Sequence, residues 1–363
     1  MESGTSSRKR ELLDTPTRVR AGEELDLGKL EPFLRARFPG EGDGIALQQF
    51  PSGHSNLTYA VVLGEREMVL RRPPFGTKVK SAHDMGREFR VLSRLHSPYP
   101  LAPAVMLYCE DHTIIGAPFY LMERLRGIII RKDPPQGLKF SAGTARKLSE
   151  AFVENLARLH ALDYSTIGLA EIGKPEGYLQ RQVSGWIERY AGSKTHDFPE
   201  VEPIASWMQQ HTPPVSNAAL IHNDYKYDNT VLNPENPTEI IGVLDWEMST
   251  IGDPLTDLGT ALAYWVDPSD PEELQQLRWG PTTYAGSLSR DGLVKRYARA
   301  TGRDVSHMPF YLAFARFKVA VIVQQIYYRY HHGLTRDPRF AQMPGVVKAL
   351  LRASLGACRA DSV

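Results

Sequence analysis

The segment Ile221–Asn229, reading Ile-His-Asn-Asp-Tyr-Lys-Tyr-Asp-Asn, constrains this chain more than any other stretch, because it sets His222, Asp224 and Asn229 directly behind an apolar run. Ala219-Leu220-Ile221 reads as a short strand, and so does Thr238–Leu244, which delivers Asp245 sixteen residues after Asn229. Asx residues in ordinary turns satisfy their own backbone, so such a cluster standing alone is most often a turn. Here strands bracket it, and Gly252-Asp253-Pro254 follows, where Asp253 suits a helix N-cap and Pro254 the first helical position. The pattern therefore predicts three oxygen-bearing side chains, Asp224, Asn229 and Asp245, held at the ends of strands.

A carboxylate that accepts the proton of an attacking hydroxyl, together with two oxygen donors for Mg²⁺, is what phosphoryl transfer requires. Asp224 fits the first role, Asn229 and Asp245 the second. The protein-kinase catalytic loop His-Arg-Asp-x-x-x-x-Asn has the same start and the same spacing from Asp to Asn. The segments His222–Asn229, Leu244-Asp245-Trp246-Glu247 and Gly252-Asp253-Pro254-x-x-Asp257-Leu258 resemble the aminoglycoside phosphotransferase/choline kinase group of small-molecule kinases. Gly53–Tyr59, Met68–Pro74, Arg87–Leu92 and Pro118–Glu123 bring the resemblance closer to the branch associated with acyl-CoA dehydrogenases. It runs from about residue 25 to 350, nearly the whole chain.

The resemblance implies an α+β, two-lobed protein-kinase-like fold, with a small β-rich N-lobe and a mainly helical C-lobe. Residues 1–24 are expected as a disordered tail, 25–123 as the N-lobe and 124–363 as the C-lobe. Apolar patterning supports a short helix within Leu27–Phe38 and strands at Ile45–Phe50, Tyr59–Leu63 and Glu67–Leu70. The loop 51–57 stands where a glycine loop covers phosphates, and the family resemblance assigns Ser55 and Asn56 as phosphate donors. Arg71 takes the place of the usual nucleotide-binding lysine, keeping the charge on a planar fork. Arg72 is expected on the opposite strand face. Glu88 falls on or beside the stripe Met85, Phe89, Leu92, so an inward carboxylate there needs a partner, and Arg71 is the candidate. Glu123 and Leu125 are placed in the adenine-binding hinge by position only.

In the C-lobe, Leu148, Phe152, Leu156 and Leu159 form one helical stripe, and Tyr311–Tyr327 is apolar almost all round. Arg316, Lys318, Gln324 and Gln325 lie in that second helix, as substrate contacts or as side chains reaching its edges. Lys226, two residues after Asp224, stands where serine/threonine kinases carry a lysine that stabilises the transferred phosphoryl group. His222 is expected to orient the loop, and Asp253 and Asp257 to brace it.

Composition excludes several classes. The 363 residues, 42% hydrophobic, exceed one ordinary core and suit two lobes. With 43 basic and 42 acidic residues the net charge of +1 offers nothing to nucleic acid. Cys109 and Cys358 have no metal-type spacing and read as ordinary reduced thiols. No run reaches the roughly 18 apolar residues that span a bilayer, and Met1–Arg10 lacks the apolar core of a secretory signal, so a cytoplasmic protein without membrane contact is expected.

The expected activity is ATP- and Mg²⁺-dependent phosphorylation of a hydroxyl on a small molecule, held in a cleft between two lobes. The resemblance implies a hydroxyacyl-CoA or hydroxy acid as acceptor and a functional link to an acyl-CoA dehydrogenase. The alternatives are an aminoglycoside phosphotransferase and a catalytically idle kinase-like module that binds nucleotide or acyl-CoA. A protein kinase is disfavoured, since Asp-Phe-Gly and Ala-Pro-Glu are absent.

Overall fold

In the computed structural model the described residues are 12–51, 56–75, 84–214, 217–335 and 337–360. They form two compact units. The first holds the chain up to Ile129 together with Thr230–Asn236 and Ile240–Met248; the second holds the rest.

The first unit is built on a five-stranded antiparallel sheet, ordered β1 (Ile45–Gln49), β2 (Leu57–Leu63), β3 (Arg66–Arg72), β5 (Phe119–Glu123), β4 (Val105–Cys109). Strand alternation divides its two faces. Tyr59, Val61 and Leu63 of β2, Met68 and Leu70 of β3, and Phe119 and Leu121 of β5 join Leu30 and Leu34 of helix α1 (Leu27–Arg35) in one buried cluster. Arg72 shares the face of Leu70, as expected, and its guanidinium donates to the Ile115 carbonyl at 3.0 Å and lies 3.7 Å over the Phe75 ring. Arg71, one residue earlier, takes the other face, where helix α2 (Met85–Leu95) buries Met85, Glu88 and Leu92. Asp84 caps α2 by accepting from the Arg87 amide at 2.9 Å.

Two expectations about organisation change. Residues 12–24 are not a loose tail: Thr17 and Gln49 exchange backbone hydrogen bonds of 2.8 Å each way, and the Tyr59 hydroxyl donates to the Glu23 carbonyl at 2.7 Å. Residues 1–11 lie outside the described set. Nor does the chain change units once near residue 124. The hairpin of β7 (Thr230–Leu232) and β8 (Ile240–Val243) belongs to the first unit, tied there by backbone pairing of Ile128 with Leu232 and by the Val243 amide on the Leu101 carbonyl at 2.7 Å. Gly127 allows the approach: a β-carbon there would come within 2.6 Å of the Leu232 carbonyl.

The second unit is mainly helical, with α3 (Ala142–His160), α4 (Tyr178–Ser193), α5 (Val201–Gln210), α6 (Pro254–Ala263), α7 (Arg290–Thr301), α8 (Met308–His331) and α9 (Met343–Ala360). Its two-stranded ribbon pairs β6 (Ala219–Ile221) with β9 (Thr250–Gly252). The whole of α6 is buried, and α8 is largely buried along Met308–Val321. The polar side chains of α8 find protein partners: Arg316 donates to the Ala353 carbonyl at 3.0 Å, Gln324 to the Ser193 carbonyl at 2.7 Å, and Lys318 to the Asn223 carbonyl at 3.0 Å. Gln325 is half-buried. Cys109 and Cys358 are both buried thiols outside any disulfide. No helix of the described residues is long and apolar enough to cross a membrane.

Candidate active site

The second unit carries the loop His222–Asn229. After β6 the chain alternates: Tyr225 and Tyr227 are buried, while Asp224 and Lys226 are only half-buried. The two tyrosines anchor the loop on α3, their rings 4.5 and 4.7 Å from that of Phe152, and the Tyr225 hydroxyl donates to the Phe152 carbonyl at 3.0 Å. Sequence reading passed over them, although an aromatic at every second position of a polar loop is a visible signal. The alternation aims Asp224 and Lys226 together away from the core.

Asp224 Oδ2 receives Lys226 Nζ at 2.9 Å and Asn229 Nδ2 at 2.9 Å, and the same amide reaches the Asp224 carbonyl at 2.8 Å. An amide whose Nδ2 faces Asp224 presents its Oδ1 on the opposite side, the orientation a hard cation would use. Burial opposes the charge on Lys226, but Tyr264, whose ring centroid lies 5.0 Å from Nζ, and Asp224 outweigh it and hold the ammonium well above the ordinary lysine range.

Beneath the loop lies Asp257 of α6, fully buried. It accepts from the His222 amide at 2.7 Å, the Asn223 amide at 2.8 Å and His160 Nε2 at 3.1 Å. His160 in turn meets the Tyr297 hydroxyl at 2.7 Å. His222 is fully buried, and its Nδ1 accepts from the Asp224 amide at 3.3 Å, so it orients the loop as expected. Asp253 caps α6 through the Leu255 amide at 2.9 Å and accepts from the Tyr311 hydroxyl at 2.7 Å.

The first unit carries a separate ionic cluster. Arg71 places Nη2 at 2.8 Å from Asp245 Oδ1 and 3.7 Å from Glu247 Oε2, with Nε 3.5 Å from Glu88 Oε2. The expected pairing with Glu88 is present, as an ion pair too long for a hydrogen bond, while the closest partner is Asp245. Desolvation works against the Arg71 charge, but Glu88 and Asp245 overcome it and hold its pKa well above the usual value. Burial raises Glu88, opposed by Arg71; its Oε1 accepts from the Trp246 amide at 3.2 Å. Asp245 itself sits at φ +67°, a left-handed turn that L residues seldom adopt. Trp246 pins that turn, its indole donating to the Val243 carbonyl at 2.8 Å and meeting Tyr99 edge-on at 5.9 Å.

Two assigned phosphate donors fare differently. Ser55 lies outside the described residues. Asn56 is 2% exposed and donates to the Glu247 carboxylate, so its side chain serves this cluster and does not stand as an open donor. Glu247 is thus a member of this cluster. In the hinge, the Glu123 amide is taken by the Ala104 carbonyl at 2.8 Å and its carboxylate by the Ala104 amide at 2.7 Å. Leu125 packs so closely on β8 that a β-carbon at Gly242 would meet it at 2.3 Å.

Three carboxylates on one guanidinium leave an excess of hard oxygen donors, which suits Mg²⁺. Among the described residues no set of three or more Cys, His, Asp or Glu could hold a metal by itself.

Comparison with known proteins decides the family. Residues 46–286 match the phosphotransferase enzyme family (APH). The chain belongs to that family. It is 36% identical over 303 residues to acyl-CoA dehydrogenase family member 10 of Mus musculus, covering 83% of this chain and 28% of that protein. To acyl-CoA dehydrogenase family member 11 of Gallus gallus it is 32% identical over 347 residues, covering 93% and 44%. The chain thus spans less than half the length of these relatives. A Ralstonia eutropha protein assigned as an aminoglycoside phosphotransferase superimposes with a TM-score of 0.78 at 27% identity, over 93% of this chain and 99% of that one. Choline kinase from Cryptosporidium parvum shares the fold, with a TM-score of 0.63 at 13% identity over 92% and 96%. The two-lobed kinase-like fold class is thereby established.

One consequence for stability follows from the first unit. Arg71→Ala strips Glu88, 2% exposed, of its cation, and a buried carboxylate left unpaired costs about 3–5 kcal/mol. Thermal unfolding of this variant is expected to begin well below that of the parent protein, and Arg71→Ala/Glu88→Gln to recover most of the difference. An unchanged melting curve for Arg71→Ala would show that the cluster carries no such charge pairing.

Proposed function

We propose that the protein is an ATP-dependent small-molecule kinase acting on an alcohol group, with a hydroxyacyl-CoA or related hydroxy acid as acceptor. The observation that carries the reading is the Asp224 carboxylate, half-buried and gripped by Lys226 and Asn229 on one oxygen. A carboxylate so fixed can accept the proton of an acceptor hydroxyl as it attacks the γ-phosphoryl group, and Lys226 beside it offers charge to the phosphoryl oxygens.

Asn229 and Asp245 would hold Mg²⁺, which when bound offsets charge on the nucleotide phosphates. Arg71 keeps Asp245 and Glu88 in place and lends positive charge to the phosphates. Glu123 and Leu125 would face the adenine through their backbone. The acceptor class rests on the names of the relatives, both acyl-CoA dehydrogenase family members, and extends to a functional link with such a dehydrogenase.

The test is coupled ADP production with Mg-ATP and a panel of hydroxyacyl-CoAs, free hydroxy acids, choline-like alcohols and aminoglycosides. Turnover with the first two groups supports the proposal, whereas turnover confined to aminoglycosides replaces the acceptor. Nucleotide-dependent thermal stabilisation with no turnover would point to a binding module. Asp245→Ala is expected to lose the Mg²⁺-dependent part of the stabilisation by ATP; equal shifts with Mg²⁺ and with EDTA in the parent protein would remove Asp245 from the metal.

A further inference from the structure

Lys318 lies midway along α8, 3% exposed, where periodicity calls for an apolar residue. Its ammonium donates to the Asn223 carbonyl at 3.0 Å and reaches Thr260 Oγ1 at 3.4 Å and Asn223 Oδ1 at 3.5 Å. The Trp186 ring lies 5.9 Å away. Burial pushes the ammonium down to about 8; Asp257 and Asp224 oppose that shift, and Lys226 and Arg189 add to it. A charge kept in such surroundings is unfavourable unless its hydrogen bonds are made, and the shortest of them goes to the residue before the catalytic carboxylate.

Asn223 has φ +68°, in the left-handed region where glycine is at ease and a residue with a β-carbon is strained. Both sides of it are held. Its amide is accepted by Asp257 from α6, and its carbonyl accepts from Lys318 of α8. The Asn223 carbonyl belongs to the peptide unit that leads into Asp224, so rotation of that unit would swing the carboxylate off its bearing. Asp257 fixes the entry to the turn and leaves the exit to another group.

We propose that Lys318 is a positioning residue for Asp224: by clamping the Asn223 carbonyl it holds the left-handed turn from which the carboxylate projects. The inference rests on the phosphotransferase reading of Asp224. A lysine that only filled space would have no effect on the loop beyond its effect on the fold. A clamp makes the turn depend on it, and a glycine at position 223, which adopts the turn without strain, relieves that dependence.

The experiment compares the full chain with Lys318→Met and with Lys318→Met/Asn223→Gly. Lys318→Met is expected to lower kcat on the order of tenfold to a hundredfold, the scale of a misaligned catalytic group, with KM for ATP unchanged. The added glycine should restore a large part of the loss. In parallel, hydrogen exchange of the catalytic-loop amides 222–229 should quicken in Lys318→Met while exchange in α3 stays as in the parent. Should Lys318→Met not accumulate in folded form, Lys318→Leu, which likewise removes the donor, is read against the parent by the same two measures. Unchanged kcat together with unchanged loop exchange overturns the proposal. So does a loss of kcat that the glycine leaves untouched while exchange rises throughout the second unit. If the parent protein turns over no acceptor, the phosphotransferase reading fails by itself and loop exchange still decides whether Lys318 clamps the turn.

Discussion

Asp224→Asn is expected to reduce acceptor-dependent ADP formation by about two to four orders of magnitude, the usual contribution of a positioned general base. The amide matches the carboxylate in shape and keeps an oxygen for Asn229 Nδ2 and Lys226 Nζ, both of which reach the present side chain at 2.9 Å. It cannot take up a proton from a hydroxyl. The fold should tolerate the change at a cost of about 1 kcal/mol, since Lys226 retains the Tyr264 ring 5.0 Å away and is itself partly exposed. ATP-dependent thermal stabilisation should survive, because the groups assigned to the nucleotide are elsewhere in the chain. Steady-state kinetics beside a melting curve separates the two effects. Turnover within a factor of three of the parent would exclude Asp224 as the base.

Asp257→Ala is expected to be the most destabilising single change in the second unit. The side chain is 0% exposed and accepts three hydrogen bonds, from the His222 amide, the Asn223 amide and His160. Alanine leaves these buried donors without their acceptor, at about 3–5 kcal/mol, which for a unit of this size lowers the melting temperature by on the order of 10 °C. Asn is a poor substitute, because its NH₂ would confront a backbone amide that also donates.

The variant should also differ from the parent in acid. Burial raises the Asp257 pKa, but hydrogen bonding and charge from His160, with further help from His222, prevail and hold it below the ordinary value. A group depressed in this way contributes stability above its unfolded pKa of about 3.9 and loses it as pH falls through the folded value. The parent protein should therefore lose stability more steeply than Asp257→Ala below about pH 4. Parallel acid limbs would show that the Asp257 charge is not what the fold relies on.

Much of this was legible in residue order. The alternation in Leu57–Leu63 and Arg66–Arg72 places Tyr59, Val61, Leu63, Met68 and Leu70 on one face, and all five are buried together. From the same alternation Arg71 and Arg72 separate to opposite faces, and the helical stripe turns Glu88 inward. Each of these follows from a local period, two residues in a strand or 3.6 in a helix, which needs no knowledge of the rest of the chain. The capping of α6 by Asp253 and the bracing of the loop by Asp257 were likewise expected.

Long-range pairings were not legible in that way. The hairpin of β7 and β8 follows the catalytic loop in sequence, yet Ile128 pairs with Leu232 and the Leu101 carbonyl takes the Val243 amide, so it packs in the first unit. Asn56 had the composition of a phosphate donor and instead meets Glu247, 191 residues away in sequence. Lys318 could be recognised as a buried cation, but nothing near it in sequence names Asn223 as its partner.

By itself, then, the order of residues determined which polar side chains stand at strand ends and helix caps, because the signals for those positions are local. Only the tertiary structure decided what each of those groups touches: that Arg71 holds Asp245 and Glu247 as well as Glu88, that Asp257 and Lys318 grip the two sides of Asn223, and that Asn56 serves a carboxylate. The reason is physical. A buried charge must find a partner wherever packing brings one within reach, and packing joins segments that are remote along the chain.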